Sequence, residues 1–267
     1  MPQVVALYRH PIKGFTPEPL ESMTVQADGR VAGDRVLAFR FADAATPEER
    51  DGLDHWPKAK GLSLQDFPAL AALRTSFDDA RRRVRIERRG AVLVEAGLDD
   101  DGRTQLTDAV TEFVLATPEA RRLGRPGRLP LVLVGDGETS RFQDRARGYV
   151  SLHSRASADA LAAAAGAGID DRRFRSNIVV DGIDAWTELE WDGEVRVGDV
   201  ALRTEGPIVR CLATHANPET GERDIRVLTT LTGPLGQTEP TLGRLFLPAD
   251  GATASAVIRI GDEVQAA

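Results

Sequence analysis

What most limits the folds open to this chain is its punctuation: apolar runs are short, and Gly, Pro or Asp closes nearly every one. Runs too short for a helix but rich in Val, Ile, Leu and Phe predict strands. They cover Val4 to Arg9, Leu20 to Val25 and Val36 to Phe41, then Leu73 to Phe77, Val84 to Glu87 and Val92 to Glu95. After a buried strand from Leu131 to Val134, others run Asn177 to Val180, Glu194 to Val197, Val200 to Thr204, Ile208 to Thr214, Leu242 to Leu247 and Val257 to Ile260. Two segments break the pattern. Thr104 to Ala116 carries Leu106, Val110, Phe113 and Val114 on one helical stripe, closed by Pro118. Ala158 to Ala165 predicts a second helix, with Ser157 as its N-cap and Gly166 as its stop.

A strand, Gly-Asp, strand pattern occurs twice, at Val195 to Val200 and at Ile258 to Val264. Such corners join the hairpins of compact β-barrels. The expected fold class is therefore α+β and β-rich: a β-barrel with peripheral helices plus a packed N-terminal mixed α/β domain. The Arg/Gly/Pro-rich stretch Arg121 to Pro130 is the expected junction. It gives units 1–120 and 121–267, with the first strands able to pair into the barrel.

Composition excludes whole classes of function. A net charge of -7 argues against a nucleic acid as main partner, because that binding is driven by phosphate neutralisation. Lys occurs only at 13, 58 and 60, so nearly all the positive charge is Arg. One cysteine forbids an intramolecular disulfide and any iron-sulfur cluster or Cys-built zinc site within the chain. A redox enzyme with this sequence must draw electrons from another protein. No apolar run approaches the roughly 20 residues of a membrane helix, and no signal-type h-region opens the chain. The expectation is a cytoplasmic protein without a membrane anchor.

Familiar catalytic signatures are missing: there is no G-x-S-x-G, H-E-x-x-H, Walker loop or G-x-G-x-x-G. Gly135-Asp136-Gly137 reads as a plain turn. Cys211 lies in P-I-V-R-C-L-A-T-H, ahead of the turn-forming Asn217-Pro218-Glu219-Thr220-Gly221. A lone cysteine is by default a small core hydrophobe. Here Arg210 adjoins it and favours a thiolate near a barrel rim. His215 is four strand residues away, about 13 Å, too far for a Cys/His nucleophile unless the strand bulges. Arg172 to Asn177 is either a solvated edge or an anion site of Arg forks and an Asn amide. Lys13 and Arg35 offer two further cations at strand ends.

These segments, in order, resemble the MOSC superfamily, named for the C-terminal domain of molybdenum cofactor sulfurases and including the amidoxime-reducing component. Y-R-H-P-I-K-G at Tyr8 to Gly14 resembles the family's opening motif, and Gly33-Asp34-Arg35 its following basic motif. His55 to Lys58 and Pro68-Ala69-Leu70 are similar to the N-terminal domain that accompanies it. R-F-R-S-N-I-V-V at Arg173 to Val180, Gly198-Asp199-Val200, and R-C-x-x-T with N-P-E-T-G at Arg210 to Gly221 resemble later landmarks.

The resemblance implies that Cys211 is the catalytic residue and the metal ligand, a soft thiolate for a molybdenum also held by a pterin dithiolene. It implies that Lys13, Arg35, Ser157, Arg175, Asn177 and Arg210 bind this molybdenum cofactor, although N-capping accounts for Ser157 equally well. The chain departs from its relatives at Gly14, where Ser is common, at Ser176, where Pro is common, and at Leu245, where some place an aromatic. The sulfurases' pyridoxal-phosphate domain and the appended iron-sulfur domain are absent. The implied activity is reduction of small N-hydroxylated or N-oxygenated compounds with electrons from a separate protein. The alternatives are a non-catalytic cofactor carrier or sulfur-transfer module, and a metal-free cysteine nucleophile.

Overall fold

The computed structural model describes residues 1–50, 52–145, 147–250 and 254–266. Its main sheet has eight strands in the order Val264–Ala266, Glu194–Val197, Val200–Val209, Thr241–Pro248, Val150–Ser154, Ile178–Asp181, Gln3–Arg9 and Glu18–Leu20. All neighbours are antiparallel except Val150–Ser154 with Ile178–Asp181. A parallel pair needs a crossover, and the helix Arg155–Ala165 supplies it. The N-terminal strands Gln3–Arg9 and Glu18–Leu20 thus extend a sheet otherwise built from the C-terminal half, pairing Leu7 with Ile178.

The fold is strand-rich mixed α/β, as the sequence predicts, but the barrel does not close. Among the described residues the sheet has two ends, and only the isolated bridge Gln3↔Glu263 spans from one side to the other. The two Gly-Asp corners explain why. Gly198-Asp199 makes the expected hairpin, with Val197 opposite Val200. Gly261-Asp262 does not: Ala256–Arg259 pairs with Ser22–Val25, while Val264–Ala266 pairs with Glu194–Val197. There the chain changes sheets, and the Asp262 carboxylate accepts the Arg259 N–H at 2.8 Å to hold the bend.

The first half builds its own core on the meander Leu73–Asp78, Arg83–Arg88, Ala91–Gly97 and the helix Asp100–Leu115. Asp99 caps that helix, accepting the Gly102 N–H at 2.7 Å. The predicted stripe Leu106, Val110, Phe113 and Val114 is buried as expected. Four such side chains contribute roughly 6–12 kcal/mol of gross apolar burial. Val132–Val134, expected to open the second half, pairs instead with Ala38–Arg40 in the first. The second core lies on the main sheet, around Leu7, Leu152, Ile178, Leu202 and Phe246. The candidate site is lined from both halves of the chain, by Lys13, Arg35 and Leu64 of the first and by Ser151, Cys211 and Leu245 of the second.

Candidate functional site

The segment that delivers Cys211 is bent by Pro207. The ladder from Val200–Val209 to Thr241–Pro248 shifts register on both sides of that residue, because proline offers no N–H to a ladder. The strand ends at Val209, and a 3-10 turn follows at Leu212–His215, where a strand to Thr214 was expected. Alternation of apolar residues suggested the strand; side-chain capping overrides it. The N–H and the hydroxyl of Thr214 both donate to the Cys211 carbonyl, at 3.0 Å each. The R-C-x-x-T pattern is therefore a turn that fixes the cysteine at a strand exit. Downstream, Asn217 accepts the Glu219 N–H at 2.8 Å, the Asx turn that the N-P-E-T-G run predicts.

Arg210 turns inward. It is 8% exposed, its guanidinium donating to the Leu242 carbonyl and, at 2.7 Å, to the Phe174 carbonyl. Gly243 makes room for it: a Cβ there would stand 3.0 Å from the guanidinium and 2.5 Å from the Leu152 carbonyl oxygen. Arg210 anchors the strand exit, and its N–H groups are committed to the backbone.

Lys13 and Arg35 reach the site on two segments bridged in parallel at Ile12 and Leu37. The Lys13 N–H donates to the Leu37 carbonyl at 2.9 Å, and the Arg35 N–H to the His10 carbonyl at 2.6 Å. Between them Asp34, fully buried, accepts the His10 N–H at 2.8 Å and pairs with the Arg35 guanidinium. Burial opposes ionisation of Asp34, but Arg35 and His10 outweigh it and hold the carboxyl well below its usual range. His10 is pushed down to about 3, first by burial and then by Arg35 and Arg175, so its ring is neutral. Arg35 also donates to the Arg175 carbonyl at 2.8 Å. Arg35 and Arg175 both hold left-handed backbone, with φ of 53° and 55°. That conformation is uncommon for residues with a Cβ, and strain of this kind collects at functional sites.

A cavity of about 320 Å³ collects these groups, at the lower end of the range for small-molecule sites. Lys13, Arg35, Arg175, Arg210 and Cys211 all line it. Burial, then the like charge of Arg35, pulls the Arg175 guanidinium down to about 9; burial does the same to Arg210. Lys13 is 7% exposed and burial pulls it below its ordinary value. Its Nζ lies 2.8 Å from Asp144 Oδ1, yet among the described residues no acceptor meets it in hydrogen-bond geometry. The Ser63 hydroxyl, on the same wall, is buried without a partner. A buried ammonium and a hydroxyl left short of partners inside a cation-lined cavity call for an anion.

Ser157 and Asn177 are not on the cavity wall. Ser154, not Ser157, caps the helix, accepting the Ser157 N–H at 3.3 Å. The Ser157 hydroxyl donates to Glu188 Oε2 at 2.9 Å and accepts the Trp186 N–H at 2.7 Å, so both its roles are occupied in the interior. Asn177 accepts from the Ser151 hydroxyl at 2.8 Å and donates to the Tyr8 carbonyl at 3.2 Å. It holds Ser151, which does line the cavity.

Sequence reasoning missed Lys58 and Asp144 as site residues. Lys58 Nζ donates to Cys211 Sγ at 3.3 Å and to Asp144 Oδ2 at 3.2 Å. Burial works against its charge, but Asp144 and Cys211 keep it above its ordinary value. Asp144 stays ionised because Lys13 and Lys58 outweigh its burial. The one sequence signal was the rarity of lysine, confined to 13, 58 and 60 in an arginine-rich chain; that two of the three meet on one carboxylate is visible only in the structure.

Among the described residues, no group of three or more His, Cys, Asp and Glu could hold a metal ion. Cys211 would retain a metal only if that metal brought ligands of its own. A cationic cradle beside a single soft sulfur fits a metal carried on an anionic organic ligand.

A family model described as the MOSC domain matches residues 139–265. Mitochondrial amidoxime-reducing component 1 of Danio rerio is 38% identical over 80 residues, 28% of this chain and 24% of that protein. Molybdenum cofactor sulfurase of Drosophila grimshawi is 46% identical over 59 residues, 22% of this chain and 8% of that protein. The chain thus spans under a quarter of the length of these relatives. A solved structure, the YUAD protein from Bacillus subtilis, aligns with 99% of this chain and 94% of its own at 12% identity and a TM-score of 0.43.

Proposed function

We propose that this chain, which carries a MOSC domain at residues 139–265, binds a molybdenum-pterin cofactor and reduces N-hydroxylated or other N-oxygenated small molecules. The observation that carries this reading is the single thiol set in a cavity that, among the described residues, seven Lys and Arg side chains and one carboxylate line. Cys211 would supply the metal's protein ligand. Lys13, Arg35 and Arg175 would hold the anionic pterin and its phosphate through charge-assisted bonds. Arg210 and Asn177 act one step back: Arg210 fixes the strand exit bearing the thiol, and Asn177 fixes Ser151. When bound, such a cofactor supplies two-electron oxygen-atom transfer at the metal. For a hydroxylamine the net reaction is R–NHOH + 2 e⁻ + 2 H⁺ → R–NH2 + H2O, with electrons from a separate reductase. The apolar walls at Phe142, Ile208 and Leu245 would exclude water from the reacting centre.

The test is reduction of benzamidoxime by the protein purified from a host that makes the cofactor, with reduced methyl viologen as donor. Turnover that Cys211→Ser abolishes supports the oxidoreductase reading. Bound molybdenum and pterin without turnover, for this and other N-oxygenated substrates, would instead make the chain a carrier or sulfur-transfer module. No helix of the described residues is long and apolar enough to cross a membrane.

A further inference from the structure

Lys58 comes from the first half of the chain, outside the matched MOSC segment, and is the one cation in hydrogen-bond contact with the sulfur among the described residues. Its position is built. Trp56 is buried against Phe142, ring centroids 4.9 Å apart, and Arg40 donates to the Pro57 carbonyl at 2.9 Å while its guanidinium lies over the Trp56 ring. Lys58 then opens a 3-10 turn, Lys58–Lys60, that aims its ammonium into the cavity. Phe142 begins the segment that carries Asp144, so one aromatic contact sets both members of the ion pair.

The charge balance on the wall is one-sided. Seven Lys and Arg side chains line the cavity among the described residues, and Asp144 is the one carboxylate among them. Asp144 is shared between two lysines, leaving one positive charge in excess beside the sulfur. The cations assigned to the pterin lie on other segments, so Lys58, held between Asp144 and Cys211 Sγ, is the cation beside the sulfur that the pterin does not take. Leu64, Ile208 and Val209 line the same cavity, as does Ser63, whose buried hydroxyl has no hydrogen-bond partner among the described residues. That wall suits an apolar body bearing an anionic group.

We propose that Lys58 is a specificity-determining residue that draws anionic ligands to Cys211, so that the preferred substrates are N-oxygenated compounds carrying a carboxylate or similar anionic group. The substrate class rests on the molybdenum reading; the charge selection at the sulfur does not. Both are tested separately.

For the first, cofactor-free wild type, Lys58→Met, Lys58→Arg and Lys60→Met are alkylated at Cys211 with iodoacetate and with iodoacetamide at one pH and ionic strength. Cys211 is the only cysteine, and the ratio of the two rates cancels the thiol's own ionisation. Relative to glutathione, wild type should favour iodoacetate. The ratio should fall about five- to tenfold in Lys58→Met, as expected of one unit charge acting over a few ångströms in a partly wet cavity. Lys58→Arg should keep the ratio within about twofold, and Lys60→Met, whose ammonium pairs with Glu48 at 2.9 Å, should match wild type. A ratio unchanged in Lys58→Met overturns the proposal whether or not the protein holds molybdenum.

For the second, the loaded enzyme is assayed with 4-carboxybenzamidoxime and benzamidoxime. Lys58→Met should raise KM for the carboxylate selectively. Equal KM changes for both substrates would overturn the substrate class. A protein without molybdenum whose alkylation ratio still responds to Lys58 would defeat the cofactor reading alone.

Discussion

Lys13→Met separates binding function from folding at this site. The Lys13 ammonium is 7% exposed, burial depresses its protonation, and among the described residues no acceptor meets it in hydrogen-bond geometry. Its ion-pair partner among the described residues, Asp144, has a side chain 56% exposed and keeps Lys58 after the substitution. A pair whose carboxylate lies half in solvent and keeps a second lysine is worth about 0–1 kcal/mol, while removing a poorly solvated ammonium returns a comparable amount. Met matches the aliphatic volume of Lys, so packing changes little. The cofactor-free variant should therefore stay within about 1 kcal/mol of wild type, a shift in Tm of about 2–4 °C at most. Binding of an anionic cofactor should suffer far more, since one charge-assisted hydrogen bond in a sheltered site contributes about 1.5–3 kcal/mol. That corresponds to about 10- to 150-fold in affinity. Calorimetric melting of the cofactor-free proteins, and molybdenum per chain after loading at limiting cofactor, read the two effects. A destabilisation above about 3 kcal/mol, or loading equal to wild type, would refute the reasoning.

Arg210→Ala should destabilise the cofactor-free protein by about 3–5 kcal/mol, because it leaves the buried Leu242 and Phe174 carbonyls without their charged donor; urea unfolding measures it, and a loss under about 1 kcal/mol would count against the anchoring role. Gly243→Ala should be at least as damaging, since its φ is 78° and its Cβ would overlap the Leu152 carbonyl. Stability should also fall as pH drops from about 6.5 towards 3. His10 is held neutral down to about 3 when folded but takes a proton near 6.5 when unfolded. The unfolded chain therefore binds more protons in that window, and stability rises with pH across it. His10→Asn should remove roughly 4 kcal/mol of that slope. An unchanged slope would show that His10 is not the group responsible.

Much of the cradle was legible because charged residues at strand ends are conspicuous against apolar runs. Lys13, Arg35 and Arg175 stand out in this way and Cys211 as the only cysteine, and all four line one cavity. Side-chain routing was not legible. Arg210 follows the same rule yet turns inward, because the bend after Pro207 and the space at Gly243 give its guanidinium two carbonyls. Ser157 sits one turn into its helix rather than at the cap, a three-residue error at a helix end, where local signals are weakest. Lys58 escaped notice because its contact with Cys211 spans 153 residues of sequence, and no local pattern encodes it. The barrel failed to close for a related reason: identical Gly-Asp corners serve a hairpin at 198 and a sheet change at 261, a choice made by tertiary pairing partners.

The central claim is that Cys211 and its cationic cradle hold a molybdenum-pterin cofactor. It is tested most directly by molybdenum and pterin content per chain, by elemental analysis and pterin fluorescence, for wild type and Cys211→Ala produced in a cofactor-making host. Near-stoichiometric molybdenum with pterin in wild type, and molybdenum lost or its absorption altered in Cys211→Ala, is the result this account predicts. Folded wild type from that host with neither metal nor pterin would contradict it.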